Sequence, residues 1–259
     1  MTNYCVLGTF RVINDGRDCT PGPPKLRQLL ALLLICADHT VSLDDIVAEL
    51  WDEAPPKTVV ATVQTYVYQL RRLIERERLG APGEELLTTN RAGYAFHVEP
   101  GALDAEVFRE LSCQSRRDLE TGRPGEAAAA AQRALDLWTG PAFAGVTAGG
   151  VLDTHAVFLD EQHQRTLELR IEADLRLGRH RELVGELRYL VARHPLDEWF
   201  HGRLIQALGR AGRRGEALQA YRDARQIFND ELGVEPSREL QQLHLDVLTS
   251  DRRPLALAG

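Results

Sequence analysis

The chain has 259 residues, of which 44% are hydrophobic and 27% are charged. This balance is typical of folded globular proteins and is too apolar for a disordered chain. One hydrophobic core seldom serves more than about 150 residues, so we expect two compact units. The formal net charge of -7 argues against a uniformly basic surface, so any contact with nucleic acid has to be local.

The sequence shows no recognisable membrane-spanning segment or secretion signal. The start, Met1–Tyr4, lacks a basic segment, and the longest apolar run, Leu29–Ala37, is too short to cross a bilayer. We therefore expect a cytoplasmic protein without a membrane partner. The four cysteines form no CxxC pair and share no ligand spacing with histidine, which predicts structural thiols, no metal and no cofactor: Cys5, Cys19, Cys36 and Cys113.

The N-terminus is predicted to be a small sheet followed by a buried helix. Tyr4–Val12 is rich in strand-forming residues, and Asn14–Gly16 supplies a turn that folds a second short strand back. Pro23 and Pro24 suit a helix start. Leucines at helical spacing then predict a first helix that is buried nearly all round: Leu26, Leu29, Leu30, Leu33 and Leu34.

Two further helices follow. Ser42 and, three residues later, Asp45 resemble a helix N-terminal cap, which predicts a second helix over Leu43–Trp51. Pro55 and Pro56 cannot continue that helix, so the chain turns and a third helix begins near Thr58 and extends to about Arg76.

A β-hairpin closes the first hundred residues. Leu86–Thr89 and Tyr94–Val98 read as strands joined across Asn90–Gly93. The order of sheet, three helices and hairpin is that of a winged helix-turn-helix, whose second motif helix enters the DNA major groove. The sequence therefore predicts a DNA-binding domain over residues 1–100.

Residues 101–259 show helical patterns alone. A similar turn recurs at Gly122–Ala127, Gly178–Leu183 and Gly212–Ala217, and the last two copies lie 34 residues apart, the tetratricopeptide period. Helices are predicted after these turns, over 127–138, 182–193 and 216–232. The predicted fold is thus mainly α: a winged helix-turn-helix (α+β) followed by an all-α tetratricopeptide-like repeat domain. An irregular helical bundle with coincidental turns is the alternative.

The third helix has two distinct sides when it is projected at about 100° per residue. One side is predicted to face the core: Val60, Val63, Val67, Leu70 and Ile74. The other side is small or polar near its start and basic near its end: Thr58, Ala61, Thr62, Thr65, Tyr68, Gln69, Arg72 and Arg76. Over residues 57–78 there are five basic and two acidic side chains, which is a local basic stripe.

That gradient suits a recognition helix. Threonine and glutamine near its start are predicted to contact base edges, while Arg72 and Arg76 contact phosphates. An ordinary solvated helix face is the alternative. Arg91 at the hairpin tip either enters a minor groove or is a solvated turn residue. Trp51 either donates its indole N–H to a phosphate or caps the core. The predicted DNA-contacting set is Lys25, Arg27, Trp51, Lys57, Thr58, Thr62, Thr65, Tyr68, Gln69, Arg72, Arg76, Asn90 and Arg91.

Several segments resemble the Streptomyces antibiotic regulatory protein family. In the first half they are Pro24–Leu34, Ala48–Trp51, Pro55–Thr58, Gln64–Val67 and Leu70–Leu73. In the second half, which is similar to that family's bacterial transcriptional activation domain, they are Arg170–Leu175, Gly178–His180, His194–Leu196 and Asp230–Pro236.

The resemblance implies an OmpR-type winged helix that binds direct repeats near the -35 region of promoters as a dimer on DNA. It further implies recruitment of RNA polymerase, through its sigma factor and other subunits, to antibiotic or other secondary-metabolite genes. The length leaves no room for the ATPase or forkhead-associated domain of larger members. Many relatives have a proline in the wing turn, where this chain has Thr89–Gly93, so the conformation of the tip is an open point.

Two other classes of function are alternatives to a DNA-binding regulator. In an interaction scaffold, the helical repeats bind a partner protein and the winged helix does not read DNA. An enzyme is disfavoured because the sequence contains no GxxxxGK loop, GxSxG elbow or HExxH motif, and its eight histidines are dispersed.

Overall fold

The computed structural model describes residues 2–52, 54–80, 83 and 85–249. The chain divides into two compact units, Met1–Arg170 (unit 1) and Ile171–Gly259 (unit 2). Residues 101–170 therefore belong to the same compact unit as the N-terminal hundred residues. The predicted domain boundary at residue 100 lies within unit 1.

The N-terminal sheet has three antiparallel strands in the order β1 (Thr2–Cys5), β2 (Arg11–Asn14) and β3 (Arg17–Asp18). The predicted turn is present, with positive φ angles of 48° at Asp15 and 78° at Gly16. The predicted small sheet is confirmed, and the strand-rich segment Tyr4–Val12 contributes to two of its strands, β1 and β2. The chain leaves the sheet after Cys5 because its next carbonyls accept hydrogen bonds from a later loop: Leu7 from Thr139 and Gly8 from Ala144, each at 2.9 Å.

Three helices follow and pack against one another: α1 (Pro24–Ile35), α2 (Leu43–Trp51) and α3 (Val59–Glu77). All six leucines of α1 are at most 5% exposed, because this helix lies in the middle of the unit 1 core. The predicted cap of α2 is confirmed, since the Ser42 hydroxyl accepts a 3.1 Å hydrogen bond from the amide of Asp45.

A second sheet completes the winged helix in the order β4, β6, β5, formed by β4 (Thr40–Ser42), β5 (Leu87–Thr89) and β6 (Gly93–Phe96). The hairpin of β5 and β6 is confirmed, although β6 ends two residues before the predicted Val98. Strand β4 was not predicted, because three residues show no period of their own and pair only with the distant β6. Gly93 is required at this pairing: a Cβ there would lie 2.0 Å from the carbonyl oxygen of Val41.

Unit 1 continues with α4 (Asp104–Glu120), α5 (Pro124–Leu135) and the first part of α6 (Gly150–Arg176). Helices α4 and α5 pack against each other. The first two copies of the recurring turn, at Gly122 and Gly178, lie 56 residues apart, and the loop 136–149 between α5 and α6 accounts for part of this longer spacing. The described part of unit 2 holds the end of α6 and four further helices: α7 (His180–Arg193), α8 (Glu198–Arg210), α9 (Arg214–Leu232) and α10 (Arg238–Thr249).

The recurring turn is confirmed. Gly122, Gly178 and Gly212 all adopt positive φ angles of 74° to 79° between two helices. The residue after each glycine donates its amide to a carbonyl five residues earlier, as in Arg123 to Asp118 at 2.8 Å. The helices after these turns begin two or three residues earlier than predicted, at Pro124, His180 and Arg214, and α5 ends at Leu135 rather than at residue 138.

No helix in the described part of the chain is both long and apolar enough to span a membrane. Over the same residues, no three His, Cys, Asp or Glu side chains are grouped so that they could hold a metal ion.

Candidate nucleic-acid interface

Helix α3 buries the side that carries its valines and leucine. Val63, Val67 and Leu70 are at most 2% exposed, and Ile74 is half-buried against the same core. The prediction for Val60 is wrong, since its side chain is 48% exposed. Val60 lies in the first turn, one turn before the first buried residue, so α3 extends beyond the edge of the core that α1 and α2 form.

The opposite side of α3 is open to solvent within unit 1. Tyr68 is 61% exposed. The other exposed residues of this side are Thr58, Ala61, Thr65, Gln69, Arg72 and Arg76, and Thr62 is half-buried. We call this set the α3 outer face. It is a continuous strip of methyl, hydroxyl, amide and guanidinium groups, which are the groups that read base edges and phosphates.

Two of the three threonines on the α3 outer face bond back to their own helix. The Thr62 hydroxyl donates to the carbonyl of Thr58 at 3.0 Å, and the Thr65 hydroxyl donates to that of Ala61 at 2.8 Å. Each hydroxyl proton is therefore used. The methyl groups and the free oxygen lone pairs remain available, so these side chains can contact a thymine methyl or accept a hydrogen bond.

The start of α3 is suited to an anion. Thr58 at the N-cap makes no side-chain cap hydrogen bond, and the first turn holds no acidic residue. The positive end of the helix dipole is thus not neutralised from within the helix. Lys57, which is exposed, stands immediately before it.

The two candidate phosphate contacts near the end of the α3 outer face differ. Arg76 donates from Nε to the Glu77 carboxylate at 2.7 Å, and this hydrogen bond lowers the pKa of Glu77 below its usual value. Within the described part of the chain, Arg72 makes no salt bridge. Arg72 is therefore the less neutralised of the two cations.

Trp51 and Lys25 hold α1, α2 and α3 together. The Trp51 ring stacks on Tyr66 of α3, with ring centroids 6.1 Å apart and planes at 16°. The Lys25 ammonium lies 6.0 Å from the same Trp51 ring and donates to the carbonyl of Leu50 and, at 3.1 Å, to the side chain of Gln28. These contacts favour the interpretation of Trp51 as a core cap.

Arg27, also on α1, is half-buried, and its Nε has no partner among the described residues.

Arg71 ties α3 to the hairpin. Its guanidinium donates to the carbonyl of Leu87 from Nε at 3.2 Å and from Nη2 at 3.0 Å, and to the hydroxyl of Thr89 at 2.8 Å. Sequence reasoning counted Arg71 in the basic stripe and missed this contact. The sequence signal for this contact is the position of Arg71 on α3, between the core side and the outer face of that helix.

At the hairpin tip the side chain of Asn90 is fully engaged. Its amide nitrogen donates to Thr40 at 2.7 Å, and its oxygen accepts from the amides of Ala92 at 2.9 Å and Gly93 at 3.0 Å. This is how the turn closes without a proline. Arg91 is left exposed at the apex.

Two carboxylates, one buried and one half-buried, join the winged helix to residues 101–170. Glu49 of α2 is 2% exposed and accepts from the amides of Gly149 at 2.6 Å, Val151 at 2.9 Å and Leu152 at 3.2 Å, at the start of α6. Asp104 at the start of α4 accepts from the amides of Val6 at 2.9 Å and Leu7 at 3.1 Å. Burial raises the pKa of Asp104, although these backbone hydrogen bonds oppose the shift. Sequence reasoning missed both contacts, which join distant segments.

A winged helix-turn-helix with an open motif helix, followed by helical repeats, defines the class of transcription regulators. Comparison with known proteins agrees: residues 18–96 match the family model "Transcriptional regulatory protein, C terminal", and residues 103–248 match "Bacterial transcriptional activator domain". The chain belongs to the Streptomyces antibiotic regulatory protein family, a family of regulators and not of enzymes.

The matches to individual known proteins extend over nearly the whole length of this chain. Regulatory protein DnrI of Streptomyces peucetius is 38% identical over 250 residues, which are 95% of this chain and 92% of DnrI. Regulatory protein AfsR of Streptomyces coelicolor is also 38% identical, and the match covers 96% of this chain but 24% of AfsR. Among solved structures, EmbR of Mycobacterium tuberculosis is similar with a TM-score of 0.89 at 28% identity, covering 96% of this chain and 65% of EmbR.

Proposed function

We propose that this regulator activates transcription by placing the α3 outer face in the major groove of promoter DNA. The observation that carries the proposal is the contrast between the two sides of α3. Val63, Val67 and Leu70 are buried, whereas Gln69 and Arg72 are exposed on a helix whose start carries no neutralising acid. Burial of the first set fixes the helix, and exposure of the second leaves it open to a groove.

Each exposed residue has a chemical role in this proposal. Gln69 and Tyr68 hydrogen-bond to base edges, and the methyl groups of Thr62 and Thr65 contact thymine methyls. Arg72, Lys57 and the amides after Thr58 bind phosphates, and Arg76 does so after exchanging its contact with Glu77. Arg91 enters the adjacent minor groove.

Other members of the predicted DNA-contacting set hold in place the helices and the hairpin that carry these groups. Lys25, Trp51 and Asn90 already have partners in unit 1, so we assign them to positioning α2, α3 and the hairpin turn. Arg27 is half-buried on α1 and remains a predicted phosphate contact. In this proposal residues 1–100 read DNA and residues 101–259 transmit activation.

Family membership supports the remaining features. We propose that the protein acts in the cytoplasm, binds direct repeats near the -35 region as a dimer on DNA, and recruits RNA polymerase through its sigma factor and other subunits. Repeats spaced by about one helical turn put two copies on one face of the duplex. Membership of the Streptomyces antibiotic regulatory protein family supports genes of an antibiotic or other secondary-metabolite pathway as the target.

Footprinting at the promoters that flank the gene tests this proposal. The full chain is expected to protect a pair of direct repeats upstream of a start site, with an affinity that falls steeply as the salt concentration rises. A gel shift with the same fragments provides the control for specificity. Absence of protection at every flanking promoter would contradict the proposal and favour the scaffold function.

A further inference from the structure

Unit 1 contains a cavity of about 430 Å³ that the DNA-reading surface does not use. It lies between the end of α1, the stretch of α4 from Ala105 to Arg116 and the stretch of α6 from His155 to Gln162. Buried leucines and a buried phenylalanine form its wall: Leu34, Leu103, Phe108 and Leu159. A volume of this size accommodates a small organic molecule of several rings or a medium-length chain.

An aromatic side chain stands at the mouth of the cavity. Phe158 of α6 is 54% exposed, and its ring lies 5.8 Å from that of His155 in a tilted arrangement. Burial lowers the pKa of His155, so this imidazole is neutral near pH 7. The mouth therefore offers two ring faces on which an apolar or aromatic body can pack.

The polar rim of the cavity carries two carboxylates and two guanidinium groups. The Glu106 carboxylate lies 3.7 Å from the guanidinium of Arg109, and the Asp38 carboxylate is 2.9 Å from the ring of His97. Both acids on the rim thus have a partner. Arg116, on the same side of α4, makes no salt bridge within the part of the chain that the structure describes, so a cation is left at the edge of an apolar cavity.

We propose that this cavity binds an amphipathic organic anion. Its apolar body fills the space between α1, α4 and α6 and packs on Phe158, and its acidic group pairs with Arg116. The combination of an apolar wall with one unmatched guanidinium distinguishes this ligand class from a neutral lipid and from a simple inorganic anion. The inference concerns unit 1 without DNA, so it is independent of the proposed promoter binding.

Two fluorescent probes test the proposal on the full chain: 8-anilinonaphthalene-1-sulfonate, which carries an anionic group, and N-phenyl-1-naphthylamine, which lacks it. Both are expected to bind saturably with one molecule per chain. Arg116→Ala is expected to weaken the sulfonate probe about tenfold, the scale of one charge-assisted hydrogen bond, and to leave the neutral probe unchanged. Arg133→Ala, which removes an exposed arginine of α5, is the matched control and should change neither.

A second variant fills the space. Ala105 lines the cavity from α4, and Ala105→Trp is expected to abolish saturable binding of both probes while the circular dichroism spectrum stays that of the wild type. Equal loss of sulfonate binding in Arg116→Ala and Arg133→Ala would overturn the proposal. So would unchanged binding in a folded Ala105→Trp variant. If Ala105→Trp does not fold, the comparison of the two arginine variants decides.

Discussion

The buried carboxylate of Glu49 accepts a 2.6 Å hydrogen bond from the backbone amide of Gly149, 100 residues further along the chain. This contact places an acid from α2, the first helix of the helix-turn-helix, at the positive end of α6. Val151 and Leu152 donate to the same carboxylate, and Gln28 of α1 donates to it at 3.1 Å. The DNA-binding domain and the start of the activation region are therefore joined by a polar contact inside one compact unit.

Glu49→Gln should destabilise the protein by about 1–3 kcal/mol, because the amide group of glutamine turns a donor toward backbone amides that need an acceptor. Urea denaturation followed by circular dichroism measures the change. The control is Glu75→Gln, which removes an exposed acid from α3 and should alter stability by less than about 0.5 kcal/mol. Equal effects of the two substitutions would show that the Glu49 contact contributes no specific stability.

Gly93→Ala should cost about 2–4 kcal/mol, because the new methyl group would displace β6 from the carbonyl of Val41 and open the β4–β6 pairing. Thermal and urea unfolding measure the loss. Gly22→Ala is the matched control, since a Cβ at Gly22 meets no atom within 4 Å. A Gly93→Ala variant as stable as Gly22→Ala would contradict the packing described for the hairpin.

Asp104 should make stability depend on pH in the direction opposite to that of most carboxylates. Burial raises its pKa above the ordinary value of 3.8, so the folded protein holds this proton more tightly than the unfolded chain does. The contribution of Asp104 to the free energy of unfolding must then fall as the pH rises from 3.8 through the raised pKa.

Asp104→Asn removes this titration and serves as the reference. The stability of the wild type minus that of Asp104→Asn should decrease across the pH interval just given, as measured by urea denaturation at a series of pH values. A difference that grows with rising pH would mean that the hydrogen bonds from Val6 and Leu7 outweigh the burial.

The helices of the winged domain were predictable because their signals are local. The Ser42 cap and the prolines before Lys57 mark helix ends, and the apolar spacing of α3 identifies Val63, Val67 and Leu70 as core. Val60 obeys the same spacing but is exposed, because a projection shows which side a residue occupies and not where the core ends. Propensity and period therefore give the helix and its direction, but not the extent of its burial.

The contacts that position the candidate site were not predictable, since each joins residues that are distant in the chain. Strand β4 exists only through its pairing with β6, and Glu49 meets an amide in a loop that lies 100 residues away. Arg71 bonds to β5 because the hairpin brings the Leu87 carbonyl beside α3. Such partners depend on tertiary structure and leave no pattern in a single sequence.

The central claim, that the α3 outer face reads DNA, is tested most directly by measuring the affinity of three variants for the footprinted operator and for base-substituted operators over a range of salt concentrations. Arg72→Ala should weaken every sequence alike and reduce the salt slope by about 1, whereas Gln69→Ala should change the order of preference among operators. Arg133→Ala, on α5, should behave as the wild type. If all three variants bind every operator as the wild type does, or if Gln69→Ala and Arg72→Ala lose the same affinity at every sequence, the roles assigned to this face are wrong.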